Sequence, residues 1–186
     1  MAREEPTGAT VPRFRATAVA ALALLVCGLH LLVVGQYGIF RDEFYYLANG
    51  RRLAWGYVDH PPVVAVLGAI ANWGGESPLA IRWLPILGSA ILAWVVAGLA
   101  RRLGGGGFAQ VFSAAVVVTA PYFLFAFHVL SMNFAEVLLW SLGAWLLLAA
   151  LDGERVWPWL ALGLVVGVGL LTKHSMAVFV LGTAVG

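Results

Sequence analysis

Residues 16–36, "ATAVAALALLVCGLHLLVVGQ", form a run with no formally charged side chain. At 1.5 Å per residue a helix of that length can cross a hydrocarbon core of roughly 30 Å. The run outlasts the apolar segment of a secretory signal, about 7–15 residues, and no small-x-small site precedes Tyr37, so it reads as a retained span. Further apolar runs follow at 78–100, 108–127, 134–151 and 157–171, with a partial one at 175–186. Composition agrees: 62% of residues are hydrophobic and 11% charged, with mean hydropathy +0.92. Soluble domains run nearer 45–50% apolar and about 25% charged. The expected fold is therefore an all-α, polytopic membrane helix bundle behind a short polar tail, residues 1–15. A net charge of +2, with no basic cluster interleaved with aromatics, argues against a nucleic-acid partner. The lone cysteine, Cys27, rules out an intrachain disulfide and reads as a buried, inert thiol.

Charge concentrates instead in the connection at 37–77. "YGIFRDEFYYLANGRRLAWGYVDHPP" carries Arg41, Asp42, Glu43, Arg51, Arg52, Asp59 and His60. Phe44, Leu47, Ala48 and Trp55 recur at helical spacing, so an amphipathic helix resting on the membrane is expected, with the acid pair at its N-terminal end. "PPVVAVLGAIANWGGE" is too short to span and reads as a second interfacial helix, opened by two prolines and closed by Gly74 and Gly75. With the N-terminus placed in the cytoplasm, Arg3, Arg13, Arg15, Arg101, Arg102 and Arg155 lie inside, against Arg41, Arg51, Arg52, Arg82 and Lys173 outside. The positive-inside rule favours that orientation by one residue. Whichever way the chain inserts, the alternation of spans brings residues 41–60, 128–136 and 173–174 to one membrane face.

Each polar group there has two readings. Asp42 and Glu43 suit a helix start, where acids complement the macrodipole. They also suit a general base or metal ligand, since partial desolvation raises a carboxylate's proton affinity. Arg51 and Arg52 can anchor lipid headgroups. Asp59 and His60 precede Pro61 and Pro62, which fix the backbone and so where the imidazole points. Asn133 and Glu136 share a helical face at the mouth of the fourth span. They fit a capping box with Asn133 as N-cap, or a functional pair, since an ionisable residue one turn into an apolar run requires a partner. Lys173 and His174 can snorkel to the interface or supply positive charge to a phosphate.

Together, "RDEFYYLANGRRLAWGYVDHPP", "HVLSMNFAEVLLW" and "GLLTKHS" resemble glycosyltransferase family 39 and its bacterial relatives, the protein mannosyltransferases and aminoarabinose transferases of the C-type membrane fold. The resemblance implies transfer of a sugar, with inversion, from a polyprenyl-phosphate donor to a glycan, lipid or protein acceptor at the outer face of a bacterial inner membrane. It implies Asp42 as the base, with Glu43 orienting it or helping bind acceptor or metal. Arg51, Asp59, His60, Asn133, Glu136, Lys173 and His174 would bind the donor phosphate or substrate. Whether a divalent metal takes part stays open, because the carboxylates can serve a cation or a proton. Family members are more than twice as long, so the resemblance also implies an N-terminal portion that is inactive alone. The rival classes are a non-catalytic membrane subunit or remnant and, further off, a transporter. A transporter would place ionisable groups at mid-depth. Only His30 lies well inside a span, and it reads as a packed residue.

Overall fold

The computed structural model describes residues 12–75 and 77–185. The polar tail expected at 1–15 therefore lies, as far as residue 11, outside the described residues, as do positions 76 and 186. Nine helices are present among the described residues, with no strand: α1 (Ala16–Val33), α2 (Arg41–Gly50), α3 (Val63–Asn72), α4 (Pro78–Arg102), α5 (Gly107–Thr119), α6 (Pro121–Ala126), α7 (Met132–Leu151), α8 (Trp157–Leu170) and α9 (Met176–Val185). Helices α1, α4 and α7 are long and apolar enough to cross a membrane. The chain is an integral, multi-pass membrane protein.

Helix α4 is central and packs against α1, α5 and α7. It starts with Pro78 in the first helical position, where the missing N–H costs nothing, and with the Ser77 hydroxyl accepting the Ala80 N–H at 3.2 Å. Small residues interleave with larger ones in the contacts around it. Ala23, Ala93, Ala97 and Ala114 are buried, and Gly88 receives the edges of Phe127 and Phe134. Within a bilayer, where apolar burial drives little association, such close backbone approach supplies the dispersion that holds helices together. Pro121 ends α5 and opens α6, so the third apolar run is two helices meeting at Ala120, which has extended backbone. A second apolar cluster of Leu146, Val165 and Met176 joins α7, α8 and α9.

Helices α2 and α3 cross almost backbone to backbone. A Cβ on Gly68 would collide with the Tyr46 carbonyl, and one on Gly50 with the Ala69 amide. This contact selects the buried face of α2, which is Glu43, Tyr46, Leu47 and the flank of Gly50. Of the expected stripe, Phe44 and Ala48 lie on the outer face of α2 and Leu47 is buried, while Trp55 is corrected to a position beyond the helix, at 93% exposure.

Candidate functional site

The end of the bundle at which α1 finishes and α4 begins collects three connections. Glu43, third residue of α2, is its anchor. Its carboxylate reaches back to the Phe40 N–H (2.8 Å) in the manner of a capping box and accepts the Leu130 N–H (3.0 Å) just ahead of α7. Arg82 completes the set, donating through Nε to Oε1 (2.9 Å) and through Nη2 to Oε2 (2.7 Å). The same guanidinium donates to the carbonyls of Val34 (2.9 Å), Tyr37 (3.4 Å) and Gly38 (2.8 Å). Arg82 is 1% exposed and Glu43 is fully buried. One ion pair thus ties the exit of α1, the start of α2, the first turn of α4 and the approach to α7. The sequence places Arg82 on this face only as one of its basic residues, and its pairing with Glu43 emerges from the fold. The signal was available, because a lone arginine one turn into an apolar helix demands a counter-charge as strongly as Glu136 does.

Asp42, next to Glu43, stays half-exposed at 42%, with Arg41 Nε 3.2 Å from its Oδ1. One turn further along α2, the Tyr46 side chain is buried. Burial foremost, then the negative charges of Asp42 and Asp59, push that phenol up to about 12. Asp59 is exposed and accepts the Tyr45 hydroxyl at 2.7 Å, a bond that raises the Tyr45 phenol above its ordinary range. Arg51 caps the C-terminus of α2 and lines a recess of about 300 Å³ with Phe44, Leu47 and Ile81.

His60 sits differently from the phosphate contact expected of it. It is 3% exposed, stacked on Tyr57 at 4.7 Å and edge-on to Tyr45 and Tyr46. Nδ1 donates to the Pro61 carbonyl (2.8 Å), which leaves Nε2 to accept the Asn49 side-chain amide (3.0 Å). Both nitrogens are spent inside the loop, so the ring pins the chain ahead of α3.

Lys173, Asn133 and Glu136 come together. Lys173 Nζ donates to Asn133 Oδ1 (3.1 Å) and Glu136 Oε2 (2.7 Å), and Ser175 Oγ donates to the other Glu136 oxygen. Lys173 is 36% exposed and Glu136 14%. The N-cap of α7 is Ser131, whose hydroxyl accepts the Asn133 N–H at 3.3 Å, so the capping alternative for Asn133 is corrected. His174 is exposed in the turn before α9. The Val63 N–H donates to the Leu171 carbonyl (3.0 Å), joining this cluster's backbone to the α2–α3 loop.

Beside the N-terminus of α2 opens a cavity of about 520 Å³, walled by Leu29, Val33, Tyr37, Phe40, Leu124 and Phe125. His30, buried as a packed residue, stacks there on His128 with their Nδ1 atoms 3.4 Å apart. As for a metal, Glu43 and Glu136 spend their oxygens on Arg82, Lys173, Ser175 and backbone amides. No three His, Cys, Asp or Glu side chains converge among the described residues. This arrangement does not fit a divalent cation.

A multi-helix membrane bundle that gathers carboxylates and cations at one end belongs to the class of polytopic membrane proteins with a polar site at the head of their spans. The chain is a member of the dolichyl-phosphate-mannose-protein mannosyltransferase family, whose model matches residues 59–185. These are membrane glycosyltransferases that use polyprenyl-phosphate sugar donors. The matched segment includes Asp59, His60, Asn133, Glu136, Lys173 and His174, and begins after Asp42, Glu43 and Arg51. No curated protein and no solved structure matches the chain.

Proposed function

We propose that this protein transfers a sugar from a polyprenyl-phosphate carrier to a hydroxyl or amine acceptor, with inversion, at the outer face of a bacterial inner membrane, the N-terminus lying in the cytoplasm. The acceptor attacks the anomeric carbon. The bond from that carbon to the phosphate oxygen breaks, and the electron pair leaves with the polyprenyl phosphate. Asp42 takes the acceptor's proton.

The observation that carries this reading is the division of labour within the acid pair. Arg82 and two backbone amides consume Glu43, so Asp42 is the carboxylate left half-exposed beside it. Glu43 then positions Asp42 through the first turn of α2. Lys173, oriented by Asn133 and Glu136, keeps one ammonium hydrogen for the leaving phosphate, where a fixed cation stabilises developing charge. His174 adjoins it in the turn before α9 and presents an exposed imidazole to the same side. The apolar cavity beside α2 suits an isoprenoid chain.

The test is reconstitution in proteoliposomes with a radiolabelled polyprenyl-phosphate sugar. Label appearing on an acceptor, with free polyprenyl phosphate released in equal amount, supports the reading. Because the resemblance implies a portion inactive alone, the deciding result comes from a folded longer chain that contains these residues: a donor that stays intact there under every acceptor offered would sink the reading in favour of a non-catalytic subunit.

A further inference from the structure

The opposite end of the bundle holds a second cavity, of about 580 Å³, that the proposed reaction does not use. Val95 and Gly98 of α4 form its floor, with Phe14 and Trp94 on one side and Leu142 and Trp145 on the other. Gly98 is required for this shape, because a Cβ there would press on the Trp145 indole nitrogen at 2.9 Å. The rim is charged. Arg102 lies over the Trp145 ring, 4.5 Å from its centroid, and pairs with Asp152 at 2.8 Å. Arg101 gives only its Nε, to the Pro12 carbonyl at 2.8 Å. Among the described residues no carboxylate pairs with Arg101, so its two terminal amino groups remain to be satisfied.

Depth locates this rim. Arg82 and Arg101 stand on the same helix, separated by about 29 Å at the standard rise, which is one hydrocarbon thickness. With Arg82 at one headgroup level, Arg101 falls at the other. Among the described residues the charge balance there is positive: Arg13, Arg15, Arg101, Arg102 and Arg155 against Asp152 and Glu154. An apolar bed flanked by indoles, opening on a guanidinium fork at headgroup depth, matches an anionic amphiphile more closely than a neutral one.

We infer that the furrow between α4 and α7 binds one anionic phospholipid of that leaflet, its phosphate on Arg101 and its acyl chains along Trp94, Val95 and Leu142. The site stands apart from the transferase reading and survives that reading's failure. The probe is phosphatidylglycerol mixed with phosphatidylcholine at equal mole fraction around the whole protein, with retained lipid counted by native mass spectrometry. The wild type is expected to keep phosphatidylglycerol over phosphatidylcholine by about tenfold, because both carry the phosphate but only choline adds a quaternary ammonium that the positive rim repels. Arg101→Gln should abolish the preference, Arg101→Lys should weaken it, and Arg155→Gln should leave it unchanged. Soluble glycerophosphate, which lacks the chains, should not displace the lipid. Equal retention of the two lipids by the wild type overturns the inference, and that readout depends on no variant's folding. So does equal loss with Arg155→Gln, which would mean diffuse charge, or displacement by glycerophosphate, which would mean a site for free phosphate.

Discussion

Replacing Arg82 by methionine tests the keystone of the polar end. The substitution removes both bonds to Glu43 and the three to the carbonyls of Val34, Tyr37 and Gly38. It leaves a fully buried carboxylate with two backbone amides and no counter-ion. Breaking a buried pair from one side costs about 3–5 kcal/mol, because the remaining charge is uncompensated. Hydrogen exchange reads such a loss locally. The amides of α2 and of Leu130 should exchange at least about a hundredfold faster, while α5 on the far side of α4 keeps its protection. Glu43→Gln supplies the sharper check. In the wild type it removes half of the pair and should destabilise α2. In the Arg82→Met background it removes the stranded charge, and its single amide oxygen can accept from either the Phe40 or the Leu130 N–H, which sit on different carboxylate oxygens, so it should restore part of the protection. Such a reversal of sign is a non-additive cycle between contacting residues. If the two substitutions simply add, or if α2 exchanges at the wild-type rate in Arg82→Met, the ion pair does not hold this end together.

Three further outcomes are expected. Gly68→Val should push α2 off α3, because the atom it would meet is the backbone carbonyl of Tyr46; a cost of about 1–3 kcal/mol, measured as faster exchange in both helices, follows from overpacking. Lys173→Met should lower sugar transfer by about 10²–10³ through loss of the cation facing the leaving group, measured as single-turnover release of polyprenyl phosphate. The Tyr46 phenol binds its proton more tightly folded, to about 12, than the ordinary value of 10.0. Its contribution to stability is therefore intact below about pH 10 and lost as the pH climbs towards about 12. Alkaline unfolding of Tyr46→Phe should lack that part of the decline, while a wild-type curve identical to the variant's would contradict it.

Much of the bundle was legible in the sequence because bilayer physics acts on long runs. An uncharged stretch at 16–36 and the proline at 121 leave few options, and the observed α1 and the α5–α6 break follow from them. The expectation that three connections share one face came from the alternation of spans. The Leu130–Glu43 and Val63–Leu171 bonds do join those connections, although α5 and α8 are shorter than the spans expected at 108–127 and 157–171. What was hidden depends on contacts between distant residues. Glu43 and Arg82 are 39 positions apart, and nothing near either one names the other. The buried face of α2 is set by a glycine on α3, so a stripe read along α2 could not show that Glu43 faces inward or that Trp55 falls outside the helix. Asn133 and Ser131 both suit an N-cap, and only the backbone at Ser131, extended ahead of the first turn, decides between them. The His60 ring is consumed by Asn49 and Pro61 in a loop whose path no periodicity describes.

The most direct test of the central claim compares Asp42→Asn with Glu43→Gln in the same reconstituted membranes, reading sugar transfer and α2 hydrogen exchange side by side. Asp42→Asn should keep wild-type protection and lose about 10²–10⁴ in turnover, as expected when a general base becomes an amide. Glu43→Gln should lose protection, and lose turnover only as far as α2 opens. Sugar transfer at the wild-type rate by a folded Asp42→Asn protein would contradict the account, because no proton acceptor would then reside at that position.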